Sequence, residues 1–258
     1  MRNLPIIQSV DRALRILELF DDREYELSMT EISKRMNLHK STIHSLLKTL
    51  QTHRYIKQNE ENGKYSLGLK LFERGNYVIE NIDLRTNARK YLELVSAKTN
   101  YTVHLVILDG QEGVYIDKVE GRGVTVLYSK IGRRVPIHTS AVGKALVAFK
   151  DDRDIENILT NYQFTRSTEK TITDKEEFLS ELQSVRNNGF AVDNEENEPG
   201  IFCLAVPIMD HTEKVIAAIS MSMSVSKATD EIINKYKALL KETGEQISVS
   251  LGYGYKRI

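Results

Sequence analysis

The sequence has a single cysteine, no long apolar run and no net charge. The first two of these features exclude an internally disulfide-bonded protein and a protein with membrane-spanning helices. Cys203 is the only cysteine among 258 residues, so no internal disulfide can form, and we expect a reducing compartment, the cytoplasm. No apolar run approaches the roughly 18 residues that a membrane-spanning helix needs. Residues 1–11 lack the apolar core of a secretion signal, so we expect no membrane association and no export.

The zero formal charge conceals an uneven distribution along the chain. Residues 1–58 hold ten Lys and Arg against seven Asp and Glu, a net charge of +3, so the remainder carries −3. Three of the six histidines also lie in this first segment. A basic excess at one end favours a nucleic-acid contact there, although this excess is small.

The first segment shows helical patterns separated by polar loops. Apolar residues spaced three and four apart predict a helix over residues 9–20, with Ser9 as its N-cap and with Val10 and Leu14 on its apolar face. A second, short helix is predicted to begin at one of two possible capping residues, Ser28 or Thr30, and to end near residue 36.

A tight turn, a third helix and a hairpin follow directly. Residues 37–39 form the predicted turn, and residues 40–53 the third helix. Residues 55–58 and 64–67 are predicted strands, joined at residues 59–63 by a turn that contains the dipeptide Asn-Gly. Three helices followed by a hairpin are the order of a winged helix-turn-helix.

The third helix has the polar surface that a major groove can accept. Its apolar stripe is formed by Ile43, Leu46, Leu47 and Leu50. Short hydroxyl side chains and a few bases on the opposite face suit a groove about 12 Å wide. We expect the following residues of this helix and of the hairpin wing to contact DNA: Lys40, Ser41, Thr42, His44, Ser45, Lys48, Thr49, Lys57 and Lys64.

Different roles are expected within this set. Ser41, Thr42 and Ser45 are candidates for contacts close to the bases, whereas Lys40 and Lys48 are candidates for phosphate contacts, which position the protein without reading sequence. An alternative is a small helical interaction domain whose polar face is simply solvated. The hairpin directly after the third helix favours the winged helix-turn-helix.

The remainder of the chain predicts a mixed α+β domain with an antiparallel-rich sheet. Strands are predicted at 103–108, 113–119, 124–128, 203–209 and 215–225, and helices at 83–99, 141–149, 152–160, 174–188 and from about residue 227. The predicted domains are therefore a DNA-binding domain at 1–66, a linker helix at 67–82 and a larger domain at 83–258.

Several fragments, in order along the chain, are similar to the IclR family of bacterial transcription regulators. In the first segment they are residues 9–17, 29–33, 40–47 and 65–68, and in the second they are 136–145, 193–200 and 203–208. The resemblance implies a sequence-specific DNA-binding regulator, a repressor, that forms a homodimer or a dimer of dimers on a pseudo-palindromic operator. It also implies a GAF-like effector domain that binds a small carboxylate, often a keto acid or an aromatic acid, and no cofactor.

The resemblance also assigns an effector pocket. By motif position, the pocket uses the backbone amides of Ala141 and Val142 and the side chains of Asp193, Cys203, Ser220 and Ser222. Some members have glycine at the positions of Ala141 and Val142. We expect the larger side chains in this chain to narrow the mouth of the pocket.

Elementary chemistry is compatible with that pocket. Amides at a helix N-terminus favour a carboxylate, and Ser220 and Ser222, two apart on a strand, face the same side. Asp193 repels an acid but can accept a hydrogen bond from an effector hydroxyl. The alternative for each residue is a buried group satisfied by the backbone, which for Cys203 is as plausible as a ligand contact.

An enzyme and a pure interaction protein remain as competing interpretations. The segment around Lys144 resembles a phosphate-binding loop, but the preceding glycine is replaced by His138 and the following hydroxyl by Ala145. No local signature supports Cys203 as a nucleophile, and the histidines lack the spacing of metal ligands. We therefore expect neither an enzyme nor a metal site.

Overall fold

The computed structural model describes residues 6–21, 24–80, 83–122 and 129–254. The chain divides into two compact units, Met1–Asn81 and Ile82–Ile258. Within the described residues, no helix combines the length and the apolar character needed to cross a bilayer.

The first unit contains four helices and one hairpin among its described residues. They are α1 Gln8–Leu17, α2 Met29–Met36, α3 Lys40–Thr52, β1 Ile56–Gln58, β2 Tyr65–Leu67 and α4 Leu69–Glu80. The two strands pair antiparallel, with Ile56 opposite Leu67. This order confirms the predicted winged helix-turn-helix.

Local capping chemistry explains the sharp boundaries of α2. The Ser28 hydroxyl accepts a hydrogen bond from the Glu31 backbone N–H at 3.3 Å, and the Glu31 carboxylate accepts from the Ser28 backbone N–H at 2.8 Å. This reciprocal pair is a capping box. At the other end, Asn37 adopts the left-handed conformation, with φ of 52°, and so stops the helix.

The prediction for α1 was wrong in its cap and in its boundaries. The N-cap is Ile7 rather than Ser9, and the helix ends at Leu17. Ile16 is completely buried, whereas Val10 and Leu14 are more than half exposed. Because α1 carries apolar residues on more than one face, periodicity alone could not show which face packs into the core.

Among its described residues, the second unit is built on one six-stranded antiparallel sheet. Its elements are α5 Asp83–Thr99, β3 Thr102–Asp109, β4 Glu112–Val119, β5 Arg134–Pro136, α6 Ala141–Ala148, α7 Asp152–Ile158, α8 Lys175–Asn188, β6 Ala191–Asn194, β7 Ile201–Met209, β8 Val215–Ser224 and α9 Asp230–Ser250. The strand order is β5-β4-β3-β8-β7-β6. The predicted α+β class with an antiparallel sheet is confirmed.

Helices cover both faces of this sheet. Leu204 and Val206 of β7 belong to a core that includes buried residues of α5 and α9. The alternating residue Ala205 belongs to a second core, together with all the apolar residues of α6 and the buried residues of α8. Because side chains alternate along a strand, β7 supplies both cores.

Some elements of the second unit differ from their predictions. The short edge strands β5 and β6 were not predicted, because three or four residues with charged or polar side chains carry little alternating signal. Helix α7 ends at Ile158, and α9 begins at Asp230 after a 3-10 turn at Val225–Lys227. The predicted strand at 124–128 lies outside the described residues.

Candidate functional site

Helix α3 presents a polar surface opposite an apolar stripe, as predicted. Ile43, Leu47 and Leu50 are buried, and Leu46 is half-buried against the same core. On the opposite surface Thr42 is half-buried, and six residues are exposed: Lys40, Ser41, His44, Ser45, Lys48 and Thr49. The predicted DNA contacts on α3 therefore share one continuous surface.

Two hydroxyls on this surface donate to the helix itself. Ser45 Oγ donates to the Ser41 carbonyl at 3.1 Å, and Thr49 Oγ1 donates to the Ser45 carbonyl at 2.9 Å. In this rotamer each hydroxyl oxygen can still accept a hydrogen bond. A base amino group would be recognised without any rearrangement, whereas donation to a base requires rotation of the hydroxyl.

The wing is held by its own turn and by one glutamate from the preceding loop. The Asn59 N–H donates to the Lys64 carbonyl at 2.8 Å, and the Asn62 side-chain amide donates to the Glu26 carboxylate at 3.1 Å. Gly63 occupies the left-handed position, with φ of 69°. Lys57 is exposed and Lys64 half-buried, so the two lysines predicted to contact DNA flank a fixed turn.

In the second unit, the predicted effector side chains gather on one face of the sheet. Asp193 lies opposite Cys203 in the β6–β7 register, and Cys203 lies opposite Ser222 in the β7–β8 register. Cys203 Sγ lies 3.1 Å from Ser222 Oγ. Ser220, two residues before Ser222, points to the same side, which is the side covered by α6. We call these four side chains the effector face.

The two predicted backbone contacts lie at the start of α6. The Ser140 hydroxyl accepts from the Gly143 N–H at 3.1 Å, and the Ser140 carbonyl accepts from the Lys144 N–H at 3.0 Å. Ala141 and Val142 are 1% and 3% exposed, and their N–H groups form no hydrogen bond with any described residue. Buried N–H groups at the positive end of a helix dipole are suited to bind an anionic oxygen.

Asp193 has a perturbed acidity with a clear origin. The carboxyl is 3% exposed, and Oδ1 accepts hydrogen bonds from the backbone N–H groups of Glu196 at 2.8 Å and Asn197 at 3.2 Å. Burial raises its pKa to about 7, although these hydrogen bonds oppose the rise. The carboxyl therefore exchanges its proton close to neutral pH.

Cys203 does not have the chemistry of a nucleophile. Burial raises the pKa of its thiol well above the usual range, and the charge of Asp193 raises it further. Because the thiolate is the reactive form, a thiol that stays protonated is inert. Its place on the effector face is that of a weak hydrogen-bonding group beside Ser222.

Lys144 is a structural cation rather than part of a phosphate-binding loop. Its side chain is 1% exposed, and Nζ donates to the Glu196 carboxylate at 2.7 Å, to the Glu181 carboxylate at 3.2 Å and to the Val192 carbonyl at 2.8 Å. These bonds tie α6 to the start of the loop at residues 193–200. The end of β6, which carries Asp193, and the loop after it are thus fixed against α6.

Sequence reasoning missed a cavity and a histidine next to the effector face. A cavity of about 440 Å³ is lined by Tyr115, Ser129, Arg133, Arg134, Val135, Pro136, Asn197, Glu198 and Pro199. His104 lies between this cavity and Ser220, with Nε2 2.7 Å from Ser129 Oγ and Nδ1 3.4 Å from Ser220 Oγ. One signal was available in the sequence, because His104 interrupts an otherwise apolar strand.

Comparison with known proteins decides the family. The profile for the bacterial transcriptional regulator IclR C-terminal region matches residues 76–249, and the profile for the IclR helix-turn-helix domain matches residues 9–60. The chain belongs to the IclR family. Members of this family are DNA-binding transcription regulators with a C-terminal effector-binding domain.

Two curated relatives and one crystal structure match over nearly their full lengths. The HTH-type transcriptional regulator XynR of Escherichia coli K12 is 49% identical over 250 residues, covering 97% of this chain and 99% of the relative. The regulator KdgR of the same strain is 39% identical over 247 residues, covering 96% and 94%. The IclR of Thermotoga maritima is 35% identical, with a TM-score of 0.77 and coverage of 95% and 99%.

These relatives decide between the competing classes of function. XynR and KdgR are transcription regulators, which confirms the expectation that this IclR-family chain is not an enzyme. Among the described residues, no group of three His, Cys, Asp or Glu side chains is placed to hold a metal ion. His138 is also accounted for, because Nδ1 bonds to the Tyr162 hydroxyl at 2.7 Å and Nε2 to the Thr165 carbonyl at 3.0 Å.

Proposed function

We propose that this IclR-family regulator is a repressor whose affinity for its operator is modulated by a small carboxylate. The carboxylate would bind between the N-terminus of α6 and the effector face. The observation that carries the proposal is the pair of buried N–H groups of Ala141 and Val142, which no described residue satisfies. Buried donors without a partner are costly, and an anionic oxygen would satisfy both.

The surroundings of these amides support a polar acid rather than a bare hydrocarbon acid. Ser220 and Ser222 supply hydroxyls, and Asp193 can accept a hydrogen bond from an effector hydroxyl. The neighbouring cavity of about 440 Å³ is within the range of small-molecule sites and is lined by Ser129, Arg133 and other polar groups. We therefore propose a hydroxy, keto or hydroxyaromatic acid.

Each of three segments of the chain would have its own function. Residues 1–66 would bind DNA, residues 67–82 would act as a linker helix, and residues 83–258 would bind the effector. A homodimer, or a dimer of dimers, would bind a pseudo-palindromic operator, since a two-fold protein calls for two-fold DNA. Binding to a bacterial operator would require a cytoplasmic protein, and occupancy of a promoter by several copies would block transcription.

Selection of genomic fragments by the full chain tests the DNA part. We expect a footprint with two half-sites in inverted orientation, about one helical turn or a multiple of it apart. A footprint of one asymmetric half-site bound at full affinity would contradict the two-fold arrangement.

The effector part is tested by calorimetry on a double variant, Ser220→Ala with Ser222→Ala. Each lost hydrogen bond is expected to cost about 0.5–1.5 kcal/mol, or more when the acceptor is charged, so carboxylate affinity should fall tens-fold. Ser224→Ala is the matched control, because Ser224 lies on the same strand and its hydroxyl bonds to Ser226 at 2.9 Å. Equal affinity of the double variant and the control would place the effector elsewhere.

A further inference from the structure

A polar network centred on His104 joins the effector face to the cavity, and none of the roles proposed above uses this histidine. The imidazole of His104, 2% exposed, lies between two hydroxyls, with Nε2 2.7 Å from Ser129 Oγ and Nδ1 3.4 Å from Ser220 Oγ. The ring of Tyr115 meets the imidazole edge-on, with 5.1 Å between centroids. Ser129 and Tyr115 also line the cavity, so His104 connects the cavity wall to Ser220.

His104 is neutral in this environment. Burial and the ammonium of Lys118, which donates to the Ser129 carbonyl at 2.8 Å, lower its pKa to about 3. A neutral imidazole donates from one nitrogen and accepts at the other. One of the two neighbouring hydroxyls therefore donates to the ring and the other accepts from it. The ring nitrogen that carries the proton determines which hydroxyl has which role.

The shorter of the two distances favours the proton on Nδ1. A separation of 2.7 Å between Nε2 and Ser129 Oγ is typical of a hydroxyl donor, whereas N–H donors lie more often at about 2.9–3.0 Å. Ser129 then donates to Nε2, and Nδ1–H donates to Ser220 Oγ. Among the described residues, the Ser220 hydroxyl has no other hydrogen-bond partner, so its own proton is left without an acceptor.

We propose that His104 is a positioning residue of the effector site, which donates from Nδ1 to Ser220 and thereby directs the Ser220 hydroxyl proton toward an effector oxygen. The inference rests on the proposed effector site and assigns the ligand group that meets Ser220. That group is a hydrogen-bond acceptor, a carboxylate or carbonyl oxygen, rather than a hydroxyl donor. With the opposite tautomer, Ser220 would select a hydroxyl instead.

The first test needs no effector. NMR of the full chain labelled with ¹⁵N-histidine reports which ring nitrogen carries the proton, and the signal of His104 is assigned by its loss in His104→Asn. We expect a neutral ring with the proton on Nδ1 throughout pH 5 to 8. A proton on Nε2, or a titration of His104 within that interval, would overturn the inference whatever the effector is.

The second test compares two variants that each retain one side of the imidazole. In His104→Asn the amide nitrogen reaches the position of Nδ1, and in His104→Gln it reaches the position of Nε2. Calorimetry would use pyruvate, lactate, gluconate and 4-hydroxybenzoate as probes, taking the acid that binds the wild-type protein most tightly. We expect His104→Asn to bind within about threefold of wild type, and His104→Gln at least about tenfold more weakly.

The outcomes separate this inference from the proposed function. If both variants lose acid affinity equally and have equal thermal stability, His104 contributes only through packing, and the positioning role is contradicted. If none of the four acids binds the wild-type protein, the proposed effector class is contradicted, while the NMR result still decides the place of the proton.

Discussion

Replacing Lys144 by Met removes a cation that is almost completely buried and leaves its acidic partners in place. In the wild-type protein Nζ lies 2.7 Å from the Glu196 carboxylate and 3.2 Å from that of Glu181. Glu196 Oε2 is buried and has no hydrogen-bond partner among the described residues, so Lys144 is its main compensation. Removing one partner of a buried ion pair typically lowers the free energy of unfolding by about 3–5 kcal/mol, and we expect a decrease of this size in Lys144→Met.

The loss should depend on pH. Burial already raises the pKa of Glu196, with Lys144 lowering it, so removal of Lys144 raises the folded-state pKa further. Above the unfolded-state pKa, a buried carboxyl whose folded pKa is raised destabilises the fold progressively as pH increases. The variant should therefore be closest to wild type near pH 4.5 and furthest from it near pH 8.

Calorimetric unfolding of the full chain is the assay, since each kcal/mol shifts the midpoint of a domain of this size by roughly 2–4 °C. Lys170→Met is the matched control, because Lys170 pairs with Glu195 in the same loop and its side chain is 52% exposed. An exposed pair of this kind contributes at most about 1 kcal/mol. Equal shifts of the midpoint in the two variants, or a Lys144→Met shift that does not change with pH, would show that the buried ion pair does not stabilise the fold in this way.

Three further predictions follow from the same geometry. Lys48→Ala should weaken binding to every DNA sequence and flatten the salt dependence by about one unit of slope, whereas Ser45→Ala should change the preference at one base position by about 1–3 kcal/mol; identical behaviour on operator and scrambled DNA would contradict this division. Asp193→Asn should gain stability relative to wild type as pH rises from about 4 to 7, because the folded-state pKa of Asp193 is raised to about 7, and in this interval the unfolded chain releases the proton that the folded wild-type protein retains; parallel thermal midpoints at pH 5 and 8 would contradict it. Gly143→Ala should lower the midpoint by an amount equivalent to about 1–3 kcal/mol, since the added Cβ would lie 2.4 Å from Ile137 Cα, and an unchanged midpoint would show that this contact relaxes.

The DNA-binding unit was largely predictable because its signals are local. The hydrogen bonds that cap α2 join residues three apart, and the stripe through Ile43 and Leu47 lies within one helix. The orientation of α1 was not predictable, because Val10 and Ile16 are both apolar and only tertiary packing selects between their faces. Periodicity identifies a helix more reliably than it identifies the buried side.

The effector face was predictable only in part, because it is assembled across strands. The two-residue spacing of Ser220 and Ser222 places them on one side of a strand, which the sequence alone shows. The position of Cys203 opposite Ser222 depends on strand register, and His104 reaches Ser220 across 116 residues of chain. Such non-local pairings leave no spacing that a single sequence can reveal.

The proposed coupling between effector binding and DNA binding can be measured in one titration. Operator affinity of the full chain would be measured by fluorescence anisotropy at one fixed salt concentration, with and without saturating carboxylate. We predict that the effector changes the operator affinity of the wild-type protein about fivefold or more. The Ser220→Ala, Ser222→Ala variant should bind the operator with wild-type affinity, and the same concentration of ligand should not change that affinity. An equal change of operator affinity in both proteins, or no change in wild type, would contradict the proposed coupling.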